Sequence, residues 1–121
     1  MGHILQRVKL SADKTTTVQM LVDTGATFSV IPEALARTLG VKRLRRSVAI
    51  TLADGRRVKL DAATAIFRIG EREAPATILV GDVVEPILGV ETLEALGLTV
   101  DAHRRRLAPS RSYAVRLGGY R

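Results

Sequence analysis

The sequence predicts an all-β chain with two short helices, folded as one domain. Three observations carry this. Short apolar runs, alternating or rich in β-branched residues, recur along the chain between Gly, Asp and Ser turn signals. Only Pro32–Gly40 and Val90–Gly97 have helical composition with punctuation at their ends. The length of 121 residues is that of a single domain, and no linker or internal repeat divides it.

Ile4–Leu10 alternates apolar and polar residues and reads as a strand, closed by the turn Ser11-Ala12-Asp13-Lys14. Thr15–Val22 is β-branched and pairs with it as a hairpin. The turn Asp23-Thr24-Gly25 leads into a short apolar stretch, Phe28–Ile31. Pro32 suits a first helical turn, Ala and Leu fill the body through Leu39, and Gly40 stops it. Two alternating runs between Ser47 and Leu60 flank Ala53-Asp54-Gly55-Arg56, where Asp-Gly marks a hairpin turn. Thr64–Ile69 and Ala74–Val80 flank Gly70-Glu71-Arg72-Glu73 and form a further hairpin. Pro86–Gly89 is a short apolar run, Val90–Leu96 a helix stopped by Gly97, and Leu98–Val100 pairs with Arg106–Ala108 across a charged turn. Residues 1–109 make up the domain, and 110–121, which has no periodicity, is a C-terminal tail or arm.

Composition removes several classes of function. Cysteine is absent, which excludes disulfide scaffolds, thiolate zinc sites and a cysteine nucleophile. The only histidines, His3 and His103, have no ligand-like spacing, which argues against a metal site or a Ser-His-Asp triad. No apolar run approaches the roughly 18 residues of a membrane span, so this chain reads as soluble. The net charge is +7, and fifteen of the nineteen basic residues are arginine. Such a balance raises nucleic acid as a partner. Against it, aromatics make up only 3% of the chain, too few for base stacking, and no nucleic-acid motif surrounds the basic clusters at Lys42–Arg46 and His103–Arg106.

The informative segment is Met20-Leu21-Val22-Asp23-Thr24-Gly25-Ala26. A carboxylate directly follows an apolar strand, and Thr-Gly forces a tight turn that exposes it among backbone N–H groups. About sixty residues later come Ala76–Asp82 and then Pro86-Ile87-Leu88-Gly89, opening a helix. An Asp-Thr-Gly turn, an intervening hairpin and an apolar-apolar-Gly element at this distance resemble the retropepsin-like aspartic proteases. The resemblance spans about Ile4 to Ala108 and implies a closed acid-protease barrel, one lobe per chain.

That resemblance implies roles residue by residue. Asp23 matches the catalytic aspartate, and Thr24 the threonine whose hydroxyl bonds across a two-fold axis. Gly25 and Ala26 match positions where backbone meets substrate. Ile87, Leu88 and Gly89 match the strand packed beside the catalytic loop, and Ala53, Asp54, Gly55 and Arg56 the flap over a bound peptide. No metal or organic cofactor is implied. The partners implied are a peptide or protein substrate and a second copy of the chain. Water attack on a peptide carbonyl needs two carboxyls sharing one proton. This chain has one Asp-Thr-Gly, and a C2 homodimer supplies the second carboxyl.

The chain also departs from the retroviral pattern. Thr27 and Val90 stand where retroviral members carry an aspartate and an arginine, and the flap has a single glycine. With the fuller helix after Pro32, these features indicate the bacterial or cellular branch. Bacterial relatives often sit behind a membrane anchor, which leaves a cytoplasmic or periplasmic location open. The rival reading is a catalytically weak or inactive dimer of the same fold, serving binding or assembly. Among lesser candidates, Asp82 and Asp101 read as solvated turn residues, Asp54 as serving its own turn, and Arg104-Arg105-Arg106 as a solvated turn. Phe28, Leu52 and Ile66 read as core.

Overall fold

The computed structural model describes residues 3–52 and 54–110. Nine strands and two helices follow one another: β1 (Leu5–Ser11), β2 (Thr15–Val22), β3 (Ser29–Ile31), α1 (Glu33–Leu39), β4 (Ser47–Thr51), β5 (Arg57–Ile69), β6 (Arg72–Val80), β7 (Ile87–Leu88), α2 (Val90–Leu96), β8 (Leu98–Asp101) and β9 (Arg106–Pro109). The all-β reading with two helices holds. Both helices end at the predicted glycines, Gly40 and Gly97. Residues 111–121 of the expected arm, and Ala53 of the expected flap, lie outside the described residues.

Seven strands form one sheet in the order β1-β2-β7-β3-β6-β5-β4, and a further pairing of β1 with β5 closes it into a barrel. Only β4 is left with a single neighbour in that sheet, among the described residues. The β1–β2 hairpin pairs Leu5 with Leu21 through Ser11 with Thr15. β2 runs parallel to β7 and β3 antiparallel to it, so the end of β2, the end of β7 and the start of β3 meet beside Asp23, while β6 pairs parallel with β3.

One predicted break is absent. The sequence shows two runs, ending at Leu60 and restarting at Thr64, but β5 is continuous over 13 residues. Its first part pairs with β4 and its remainder with β6, so Asp61-Ala62-Ala63 stays extended. Ala62 and Ala63 are both buried because they face different apolar clusters on the two sides of the sheet. Burial on both faces erases the period-2 signal that alternation relies on.

The same two-faced pattern recurs in neighbouring strands. The larger cluster fills the barrel, with Leu10, Met20, Phe67, Ile78, Leu88 and Leu96 among its fully or nearly fully buried side chains. The smaller cluster consists of Val30, Ala62 and Leu79, with Phe28, Ile50, Leu60, Val83 and Ile87 packed partly buried against it. Val30/Ile31, Ala62/Ala63, Ile78/Leu79 and Ile87/Leu88 each send one residue to each cluster. The barrel core is closed, whereas the small cluster is covered on one side only. Outside the barrel, Arg43 ties α1 to β5 through ion pairs with Glu33 and Asp61, and these two carboxylates raise the guanidinium pKa above its ordinary value.

Candidate active site

The exposed side of the small cluster is the wall of a groove of about 900 Å³. Val30, Ile50, Leu60, Leu79 and Ile87 contribute to both the cluster and the groove. Asp23, Gly25 and Ala26 line it from the turn after β2, and Arg56 from the β4–β5 hairpin. Three segments brought together from positions 23–30, 49–60 and 79–87 therefore share one cavity.

Backbone hydrogen bonds fix Asp23 in its place. Its N–H donates to the Leu88 carbonyl at 3.0 Å, and its own carbonyl accepts from Ala26 N–H at 3.1 Å, closing the turn. The half-buried carboxyl accepts the Gly25 N–H on Oδ1 at 2.9 Å. This backbone donor holds the carboxyl in the groove lining, and among the described residues Oδ2 makes no hydrogen bond.

Ile87, Leu88 and Gly89 lie beside this turn, but only Ile87 reaches the groove. Leu88 is fully buried in the barrel, and Gly89 packs directly on the Phe28–Ser29 backbone, where a Cβ would lie 2.5 Å from the Phe28 carbonyl carbon and oxygen. The Gly89 N–H donates to the Ser29 hydroxyl at 3.0 Å, and that hydroxyl shares a 2.6 Å hydrogen bond with Thr92. Ser29 and Thr92 are both completely buried. Two backbone bonds extend the seam: Val90 N–H to Ala26 O at 2.8 Å and Glu91 N–H to Thr27 O at 2.9 Å. At Thr27 and Val90, where retroviral members carry a charge pair, neutral hydrogen bonds join the two segments. The sequence reading missed Ser29 and Thr92; two isolated hydroxyls 63 residues apart give no local signal.

Thr24 is exposed and lies outside the groove, in a smaller adjoining recess with Thr27, Glu91 and Glu94. Asp54 and Gly55 are also outside the groove lining. Asp54 serves its turn as expected: its Oδ1 accepts the Arg56 N–H at 3.0 Å and its Oδ2 the Arg56 Nε–H at 2.7 Å. The backbone donor first, and then the guanidinium, holds this carboxyl below its ordinary pKa.

Two lesser expectations, the core placement of Leu52 and Ile66, need correction. Leu52 lines the groove and joins neither apolar cluster, whereas Phe28 packs against the small core cluster as expected and also lines the groove. Ile66 is half-buried, opposite Pro75 on β6 and Ser11 on β1. Asp82 is solvent-exposed as expected, but it also lines the groove. Asp101 does serve a turn, accepting the Arg104 N–H at 3.1 Å.

The family model described as "gag-polyprotein putative aspartyl protease" matches residues 8–95. The chain belongs to this aspartyl protease family. The matched span runs from β1 into α2 and includes both Asp23 and the Ile87–Gly89 seam. Among solved structures, the protease of EIAV in complex with the inhibitor HBY-793 is similar, with a TM-score of 0.65 and 26% sequence identity. The similarity covers 79% of this chain and 89% of the viral protease. No match is found among curated proteins. The aspartyl protease assignment rests on the family match and the retropepsin-like fold on the structural one.

Proposed function

We propose that this aspartyl protease family member is a homodimeric aspartic endopeptidase, with Asp23 of each of two subunits holding the attacking water. The observation that carries the reading is the Asp23 carboxyl, held by the Gly25 N–H in the lining of an apolar groove. One carboxylate can accept the water's proton, but protonating the leaving amine and stabilising the tetrahedral intermediate require a second acid. Each chain brings one Asp-Thr-Gly, so the complete site needs a partner copy.

Other features support the details. Thr24 is exposed beside Asp23 and makes no hydrogen bond among the described residues, which suits a hydroxyl that bonds across the two-fold axis. Gly25 and Ala26 line the groove and suit contact with the scissile segment. β4 flanks the groove with an unpaired edge, which suits an extended peptide adding as a further strand. The hairpin tip at 54–56 is its cover. The charge-free Thr27/Val90 seam and the helix α1 favour the bacterial or cellular branch.

The test is a peptide-library cleavage assay run beside analytical ultracentrifugation over one concentration series. Asp23→Asn should abolish cleavage while the protein stays folded, because the change removes a proton-transfer group and no core volume. Specific activity should fall as dimers dissociate, and excess Asp23→Asn chain should poison wild type through mixed dimers. Undiminished cleavage by Asp23→Asn, or constant specific activity from a monomer, overturns the mechanism.

A further inference from the structure

The groove carries three charged side chains, Asp23, Arg56 and Asp82. Two of them already have work. Asp23 is assigned to the chemistry, and Arg56 is engaged by Asp54 through both its backbone N–H and its Nε–H. Asp82 is left. Among the described residues its carboxylate has no hydrogen-bond or ion-pair partner.

Its mount is firm although its side chain is exposed. The Gly81 N–H donates to the Ile31 carbonyl at 3.0 Å, which anchors the loop to the end of β3. The Val83 N–H donates back to the Gly81 carbonyl at 3.0 Å, a three-residue turn with Asp82 at its apex. Val83 packs against the small apolar cluster on the other side of that apex. The backbone that carries Asp82 is therefore fixed at the groove rim, and the aliphatic side chains of Leu60, Leu79 and Val83 line the same groove.

We propose that Asp82 is a specificity-determining residue, receiving a lysine or arginine side chain of an extended peptide whose neighbouring residues are apolar. Such a side chain matches both surfaces: its methylene stem lies along the aliphatic wall and its cationic head meets the carboxylate. The net charge of +7 does not oppose this at contact range. At physiological ionic strength screening acts over about 8 Å, so distant arginines matter little beside a carboxylate in direct contact. Because Asp82 is exposed, the preference is modest, about two- to fivefold per site, and it weakens with salt. Glu85, on the same loop but outside the groove lining, has no part in it.

The preference in cleavage rests on the peptidase reading, whereas binding does not, so both are measured. Asp23→Asn protein, which leaves peptides intact, is titrated with peptides of one apolar sequence carrying lysine, norleucine or glutamate at each position in turn. At one position, lysine should bind about two- to fivefold tighter than norleucine, and glutamate weaker. Adding Asp82→Asn should level the series, Asp82→Lys should invert it, and Glu85→Gln should leave it as it was. Wild-type cleavage of the same peptides should follow the same order. If wild type cleaves nothing but the binding series behaves so, the peptidase reading fails and the Asp82 site stands. Equal binding of all three side chains at every position, or a lysine preference that survives Asp82→Asn, overturns the proposal.

Discussion

Gly89, in the seam behind Ile87, and Gly55, at the tip of the hairpin that carries Arg56, are glycines for opposite reasons. Gly89 is enclosed: its backbone lies against the Phe28–Ser29 backbone, and a methyl group would have nowhere to go. Gly55 is at the hairpin tip with φ +89 and no atom within 4 Å of a built Cβ. The first glycine is required by close approach, the second by backbone conformation alone. Around Gly89 the bonds are long-range in sequence and buried; around Gly55 they are local and exposed. The Gly89 seam is thus locked into the barrel, whereas the tip of the hairpin around Gly55 is tied only by local, exposed bonds.

The same alanine substitution at both sites should break this comparison open. Gly89→Ala should cost about 3 kcal/mol or more, because rigid backbone must move to admit the methyl. Denaturant unfolding should show a large loss of stability, or no folded protein. A loss under 1 kcal/mol would mean that the seam is pliable. Ser29→Ala tests the same side more gently. It strips the buried Gly89 N–H of its acceptor and Thr92 of its partner, at about 1–3 kcal/mol. Ser29→Ala with Thr92→Val should cost less than the sum of the two single changes, since both remove one shared bond.

Gly55→Ala should cost about 1–2 kcal/mol, from placing a side chain at positive φ. The unfolding transition should fall by only a few degrees, and the proposed peptide cover is where any effect on activity should appear. The smallest effect is in the titration of the Asp54 carboxyl. Its folded-state pKa is depressed, so the Asp54–Arg56 bonds are fully present above the ordinary aspartate value of about 3.9 and are lost as pH falls through the depressed one. NMR of the Asp54 carboxyl and the Arg56 amide should show both moving together, below the ordinary aspartate range. An Arg56 amide that titrates at the ordinary value would mean that the turn is not held this way.

What the sequence revealed follows from how local each signal is. Turn chemistry at Ser11–Lys14, Asp54-Gly55 and Gly70-Glu71 located the hairpins, and Gly40 and Gly97 stopped the helices where expected. Asp23 was legible because strand, carboxylate, threonine and glycine are consecutive. Ser29, Thr92 and the groove side of Phe28 were not, since each acquires its role from a segment far away in the chain. The two-faced strands lie between these cases. Val30-Ile31, Ile78-Leu79 and Ile87-Leu88 are visible as apolar pairs, but the sequence does not say that one member of each faces a closed core and the other a groove.

The unpaired edge of β4 has a consequence for colloidal behaviour. An open strand of Ser47–Thr51 is a template on which any extended chain could assemble, including another copy of this protein, and such edges seed aggregation. Among the described residues every other strand of the seven-stranded sheet has two neighbours for at least part of its length, whereas β4 has one throughout. Arg45 and Arg46 precede this strand, and Arg56 and Arg57 follow the turn after it. Two copies aligning these edges would bring guanidinium clusters together and repel, so the arginine-rich ends of β4 act as gatekeepers against fibril growth.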